Sequence, residues 1–356
     1  MNLNYHKMKF LRLAFYVLIA QLVLSGCAGE GVEETSSSSS SEINFDAYVG
    51  RNASTRSSET NIDFLKGNAF NAGFGVFARY NYNGKILSLL DTEHVTWNKD
   101  QNHWEYTNTR FWPSEGSVDF YAFAPYSDQP KMENFEIDFP ANWSPVDLVY
   151  AKAEGKTKAD NPVKFTFKHA LARLSFDITA NPKIEEKDVV IKVKEVRLYG
   201  ANETSGIFYM GGYLNLQTGG WRPYDNHTKW FYTWTPDGTV EGDENVKENG
   251  EEYKKIIYKL SEHPQLDHTN DKITNAADSY IYIIPQPKPA NFKLKIVYTV
   301  QQGNFKEDVT VKKNLLDVLP GNRNPYFEGG KAYVFHFKLS LDPVDFSVTA
   351  KVNDWK

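Results

Sequence analysis

The feature that most limits what this chain can fold into is the spacing of its apolar residues beyond residue 42. Phe292, Leu294, Ile296, Tyr298 and Val300 alternate with Lys293, Lys295, Val297 and Thr299. A period of two sends one face of an extended strand into a core and the other toward water. The same alternation, or a short continuous run of β-branched and aromatic residues, recurs over Ile43–Val49, Gly75–Tyr82, Val118–Ala124, Val163–Phe167, Leu171–Thr179, Val189–Tyr199, Tyr253–Leu260, Tyr280–Ile284, Tyr333–Leu341 and Phe346–Val352. Gly, Pro, Asn and Asp separate these runs, and Asn83-Gly84 after Tyr80 and Tyr82 reads as a hairpin turn. Segments of helical period are nearly absent, so the pattern predicts an all-β chain of short antiparallel strands packed as β-sandwiches. An aromatic content of 15% agrees, because large rings suit the half-buried pleated surface of a sheet. At 356 residues two domains are expected. The boundary is placed near Asp160-Asn161-Pro162, after the polar stretch Ala151–Lys158. This gives an N-terminal sandwich over 43–160 and a C-terminal one over 161–356.

The N-terminus reads as an address. Lys7, Lys9 and Arg12 precede the apolar run Leu13–Leu24, broken only by Gln21. A basic head and about a dozen apolar residues make a secretory signal over residues 1–26, too short for a comfortable membrane span. It ends in Leu24-Ser25-Gly26-Cys27, which resembles the bacterial lipoprotein box, where the cysteine is acylated and becomes the mature N-terminus. Cys27 is the single cysteine, so neither an intramolecular disulfide nor a zinc site of several thiolates can form. The expected location is the outer membrane and cell surface, through a lipid anchor. Without residues 1–26 the chain carries 37 basic against 45 acidic residues, a formal charge of −8 that argues against a nucleic-acid partner. Residues 27–42 then form the acylated cysteine and a tether, AGEGVEETSSSSSSE, with no apolar residue larger than Val32. Such a stretch buries too little surface to offset its ordering entropy. Glu30, Glu33 and Glu34 resemble the acidic surface-export signal of lipoproteins in the Bacteroides group.

Chemistry-bearing motifs are missing from the sequence. There is no Gly-rich phosphate loop, no HExxH and no GxSxG elbow, and no catalytic residue, cofactor site or metal site is predicted. His263 and His268 stand near Asp267 and Asp271, but the spacing reads as a solvated loop. His169, following a strand, reads as a hydrogen-bonded structural histidine. One cluster stands out: Trp221, Tyr224, Trp230, Phe231, Tyr232 and Trp234 lie within fourteen positions. Trp221, Trp230 and Trp234 could stack on a sugar while Arg222, Asp225 and Asn226 bond its hydroxyls. Alternatively, two strands contribute these rings to a core. The sequence leaves both readings open.

Several segments, in order, resemble the fimbrillin family of Bacteroidales, the subunits and accessory lipoproteins of type V pili. Trp104-Glu105-Tyr106, Phe111-Trp112-Pro113 and Val118–Pro125 (VDFYAFAP) resemble its "W…WP…FYAYAP" region, and Phe165–Phe176 (FTFKHALARLSF) its "F-x-H-A-x-A-x-L" strand. Tyr282–Pro287 (YIIPQP), Lys331-Ala332-Tyr333 and Asn353-Asp354-Trp355 resemble its "IPQ" segment and closing strands. The region 201–275 departs from the pattern and reads as an insertion. The resemblance implies two transthyretin-like sandwiches and a structural or accessory fimbrial role in adhesion, without catalysis. It also implies assembly by strand exchange, in which a protease removes the first strand and another subunit, or a second copy, fills the groove by β-strand addition. Here the removable strand would be Ile43–Val49, followed by the polar stretch RNASTRSSETN with Arg56, or else Arg51, as the processing site. Partners implied are other fimbrial subunits, the outer membrane and a host or microbial surface ligand. The chain ends at Lys356 with no spare extension after Trp355. On that pattern Phe346–Trp355 is itself the mobile strand, or the protein sits at one end of a pilus as anchor or tip.

Overall fold

The computed structural model describes residues 41–356 apart from 51–58, 129, 131, 141–146, 181–188, 204, 210, 225–228, 231, 235–239, 249–250, 259–264, 267–280, 320–324, 341–345 and 356, with the backbone alone for parts of the strands between 177 and 266. Strands dominate the described residues. The first ten are β1 (Phe45–Val49), β2 (Phe74–Tyr82), β3 (Lys85–Asn98), β4 (His103–Glu105), β5 (Ser117–Ala124), β6 (Glu136–Pro140), β7 (Val149–Lys156), β8 (Val163–His169), β9 (Ala172–Ala180) and β10 (Val189–Tyr199). A four-residue helix, Ile62–Leu65, is capped by Asn61, whose side chain accepts from the Phe64 N–H.

The all-β expectation holds. β1, β8, β7, β5, β2, β3 and β4 lie side by side, in that order, in a seven-stranded sheet. Farther along the chain, β10 and the strands Lys293–Gln302 and Phe305–Asn314 belong to a five-stranded sheet. That sheet faces one built on β9, Lys331–Leu339 and Ser347–Asp354, and their inner faces share one apolar core. Asn83 and Gly84 both have positive φ, 48° and 74°, the conformation that a two-residue hairpin between β2 and β3 requires.

Among the described residues pairing is antiparallel with two exceptions. β1 runs parallel to β8, and β9 runs parallel to Lys331–Leu339. Antiparallel pairing thus dominates, as the sequence pattern suggested; the two parallel pairs need long crossovers, which sequence periodicity does not reveal. The polar stretch Ala151–Lys158 is corrected, since most of it is β7. There Val149, Ala151 and Ala153 point inward between Lys152 and Glu154. Small alanines hide an alternation that larger residues would have announced.

Among the described residues, three apolar clusters hold the fold together. One fills the seven-stranded half, with Phe45, Phe74, Phe120 and Phe165 at its centre, and one fills the C-terminal half. A third joins them, taking Phe77, Tyr121 and Phe123 from β2 and β5 and Leu214, Tyr282, Ala332 and Trp355 from the rest of the chain. Strand β5 is therefore buried on both faces: Phe120 and Ala122 turn into the first core, Tyr121 and Phe123 into the junction. This accounts for its unbroken apolar run.

On the outer face of the C-terminal half, Glu203 accepts from Lys312 at 2.7 Å and Lys295 at 2.9 Å. These bonds hold its carboxyl down at about 2, against an ordinary value of 4.5. A carboxylate with a depressed folded pKa stabilises the fold fully above its unfolded value and loses that contribution as pH falls through the folded one. Glu203→Gln is therefore expected to flatten the acid limb of stability between about pH 4.5 and 2. Thermal melts across that range should show wild type and variant converging toward pH 2; curves that stay parallel would contradict the assignment.

Candidate functional site: the first strand and its groove

Strand β1 is the outermost strand of its sheet, and its backbone register is Phe45 opposite Val163, Ala47 opposite Phe165 and Val49 opposite Phe167. The alternation seen in the sequence is realised in space. Ile43, Phe45 and Val49 are buried, while Asp46 and Tyr48 face outward. Phe45 sits in an aromatic socket, with ring centroids 5.3 Å from Tyr106, 5.7 Å from Phe165, 5.8 Å from Phe120 and 6.4 Å from Phe74. Four rings around one phenyl exclude any other placement of the strand, because a slip of one residue would put Asn44 or Asp46 into that socket.

The residues just before β1 are held on their other side. The Ile43 N–H donates to the Arg110 carbonyl at 2.8 Å, the Trp112 N–H donates to the Ser41 carbonyl at 2.8 Å, and the Tyr106 hydroxyl donates to the Ile43 carbonyl at 2.9 Å. On the β8 side, the Asn44 N–H donates to the Asn161 side chain and the Val163 N–H to the Asn44 carbonyl, both at 2.8 Å. The segment therefore lies in a slot with backbone partners on both walls and an apolar floor. Such a slot accepts an extended peptide by main-chain hydrogen bonds and selects it by alternate side chains.

A buried polar clamp stands at Thr60, between β1 and the short helix. The Thr60 N–H donates to Asp147 Oδ2 at 2.8 Å, and the Thr60 hydroxyl donates to the Asp147 carbonyl at 2.5 Å. His169 Nδ1 meets Asp147 Oδ1 at 2.9 Å. Burial pushes the Asp147 carboxyl above its usual range, against the hydrogen bonds from His169 and the Thr60 N–H. His169 is thus a structural histidine, as its sequence position suggested. It stacks on Trp355 at 3.9 Å, and Arg173, paired with Glu59, lies 4.8 Å above the same indole. Glu59 and Thr60 are thereby fixed to the junction and to the C-terminal strand, independently of β1.

The other predicted residues divide as follows. Cys27, Arg51 and Arg56 lie outside the described residues, as do His263 and His268. Trp221 begins a strand paired with Gly211–Asn215; its indole N–H donates to the Ala170 carbonyl at 2.9 Å, and its ring meets Phe139 edge-on. Its remaining surface lines an open cleft of about 840 Å³ shared with Tyr150, Gly219 and Gly220. Trp230 and Trp234 occupy backbone positions opposite Phe208 and Val196, and their side chains lie outside the described residues. The structure therefore does not gather the three tryptophans into one described site. Sequence reasoning passed over the Asp147–Thr60–His169 clamp, whose members are far apart in the chain and carry no spacing signal. Among the described residues no group of three or more His, Cys, Asp or Glu is arranged to hold a metal, and no helix is long and apolar enough to cross a membrane.

The comparisons bear on the family of this all-β chain with its deeply seated edge strand. Residues 55–355 match the fimbrillin-like family, to which the chain belongs. Its fold is similar to that of a fimbrial protein from Bacteroides vulgatus ATCC 8482, at 22% identity and a TM-score of 0.59, covering 88% of this chain and 99% of that one. It is also similar to a protein described as a cell adhesion protein from Bacteroides uniformis ATCC 8492, at 17% identity and a TM-score of 0.51, covering 89% and 100%. Among curated proteins none is a significant match.

The socket predicts the weight of Phe45. Phe45→Ala should cost about 3–5 kcal/mol, as for a large ring removed from a closed core, whereas Tyr48→Ala, on the exposed face of the same strand, should cost under about 0.5 kcal/mol. Urea unfolding measures both; equal effects would show that the strand does not hold the core.

Proposed function

We propose that this protein is a cell-surface lipoprotein of the fimbrillin type, a structural or accessory component of type V-like fimbriae that assembles by strand exchange and contributes to adhesion without catalysis. Membership of the fimbrillin-like family supports a fimbrial and adhesive role at the cell surface. In this reading Cys27 carries the acyl chains that hold the protein at the outer membrane, and residues 28–42 form the tether. Two sandwich domains of transthyretin-like type follow, with the boundary moved from about 160 to after β8, because that strand pairs with β1 and β7.

The observation that carries the reading is the seating of β1. Fully burying a side chain such as Ile, Phe or Val stabilises by roughly 1.5–3 kcal/mol, so Ile43, Phe45 and Val49 together contribute on the order of 5–9 kcal/mol. That is comparable to the whole net stability of a typical domain, about 5–15 kcal/mol. A chain that loses this strand must refill the slot or unfold, and a strand of another subunit satisfies both backbone walls and socket. The clamp at Glu59 and Thr60 supports the same sequence of events, because it would keep the new N-terminus fixed after cleavage at Arg56 or Arg51.

A second reading, a surface glycan-binding adhesin using Trp221, Trp230 and Trp234, has one observation in its favour: Trp221 lines an open cleft. The strand-exchange reading is tested with an Arg-specific protease. Cleavage after Arg56 or Arg51 should release the segment carrying Ile43–Val49 and yield laddered oligomers, and Arg51→Ala with Arg56→Ala should prevent both. Cleaved chains that stay monomeric at every concentration would contradict it.

A further inference from the structure

The cleft beside Trp221 carries an inference beyond strand exchange. Its floor is the outward face of the seven-stranded sheet. Tyr48 on β1 stands opposite Thr166 on β8, and Tyr150 on β7 stands opposite Lys168, so the four side chains share one face. Val163, Phe165 and Phe167 take the inward positions between them. The facing wall holds Trp221 and, before it, Gly219 and Gly220. Gly219 has φ +75° and packs so closely on Tyr150 that a Cβ there would run into its hydroxyl, so the turn can approach Tyr150 only as glycine.

The charges around it are sorted. Lys331 is paired with Asp354 at 2.6 Å, and His169 is turned to Asp147 at 2.9 Å. Lys168 is exposed and has no ion-pair partner among the described residues. Lys168, without an ion-pair partner, therefore lines the same space of about 840 Å³ as Tyr48, Tyr150 and Trp221, a volume within the range of small-ligand sites. Apolar ring faces with a few placed polar groups suit the C–H face of a pyranose, and a lone lysine suits a carboxylate.

We propose that this cleft binds an acidic saccharide, with the sugar ring against Tyr48, Tyr150 and Trp221 and its carboxylate on Lys168. The proposal deepens the glycan-binding reading by naming the ligand class and a different residue set, and it does not depend on strand exchange.

The test uses the mature chain with D-glucuronic acid, N-acetylneuraminic acid and, as the neutral counterpart, D-glucose, by saturation-transfer NMR and calorimetry. At least one of the two acids should bind about tenfold more tightly than glucose, the worth of one charge-assisted hydrogen bond. Lys168→Gln should remove that preference, and Tyr48→Ser should weaken acid binding about tenfold with an unchanged melting temperature. Equal binding of glucose and the acids, binding of neither acid, or indifference to both variants would overturn the proposal. If Trp230→Ala or Trp234→Ala abolishes binding while Lys168→Gln and Tyr48→Ser do not, the glycan-binding reading survives and this cleft is not its site.

Discussion

The contact on which the N-terminal half depends is the phenyl ring of Phe45 in its socket of four aromatic rings. It comes from a strand only five residues long, at the margin of the sheet. Most edge strands contribute little to a core, so losing one is tolerable. Here the edge strand supplies rings at the centre of the core, so its departure would leave an open apolar slot for an equivalent strand to fill. On the proposed reading, a monomeric sandwich and an assembling subunit are two states of one design.

The rest of the molecule is arranged so that this exchange would leave the remainder in place. Glu59 and Thr60 are bound by Arg173 and Asp147, and the Arg173–Trp355–His169 stack ties that clamp to the C-terminal strand. The junction cluster then packs Tyr121 and Phe123 against Tyr282 and Trp355. None of these contacts uses Ile43, Phe45 or Val49. The outward face of β1 adds a further link, because Tyr48 lines the cleft that Trp221 closes from the other side. Ligand held there would bind the strand-in state and favour it by mass action.

The strands themselves were legible wherever large apolar residues alternate: Ile43–Val49, Val189–Tyr199 and Phe292–Val300 lie where the pattern put them, and Asn83-Gly84 turns as its residues demand. β7 was missed because alanines fill its inward positions. The parallel pairing of β1 with β8 was invisible, since it joins residues more than a hundred positions apart and periodicity speaks only of local geometry. For the candidate site, the alternation of β1 was readable as a groove occupant. The clamp was not, because Thr60, Asp147 and His169 meet only after three separate loops and strands converge.

The most direct measurement of the central claim locks β1 to its neighbour. Tyr48 and Thr166 are register partners on the exposed face, and adjacent strands about 4.8 Å apart bring their Cα atoms within disulfide reach. A form with Cys27→Ser, Tyr48→Cys and Thr166→Cys, oxidised and then cut by an Arg-specific protease, should retain the first strand and remain monomeric. Reduction should release the strand and let oligomers form. Ladders that appear while the disulfide is intact would contradict assembly through this groove.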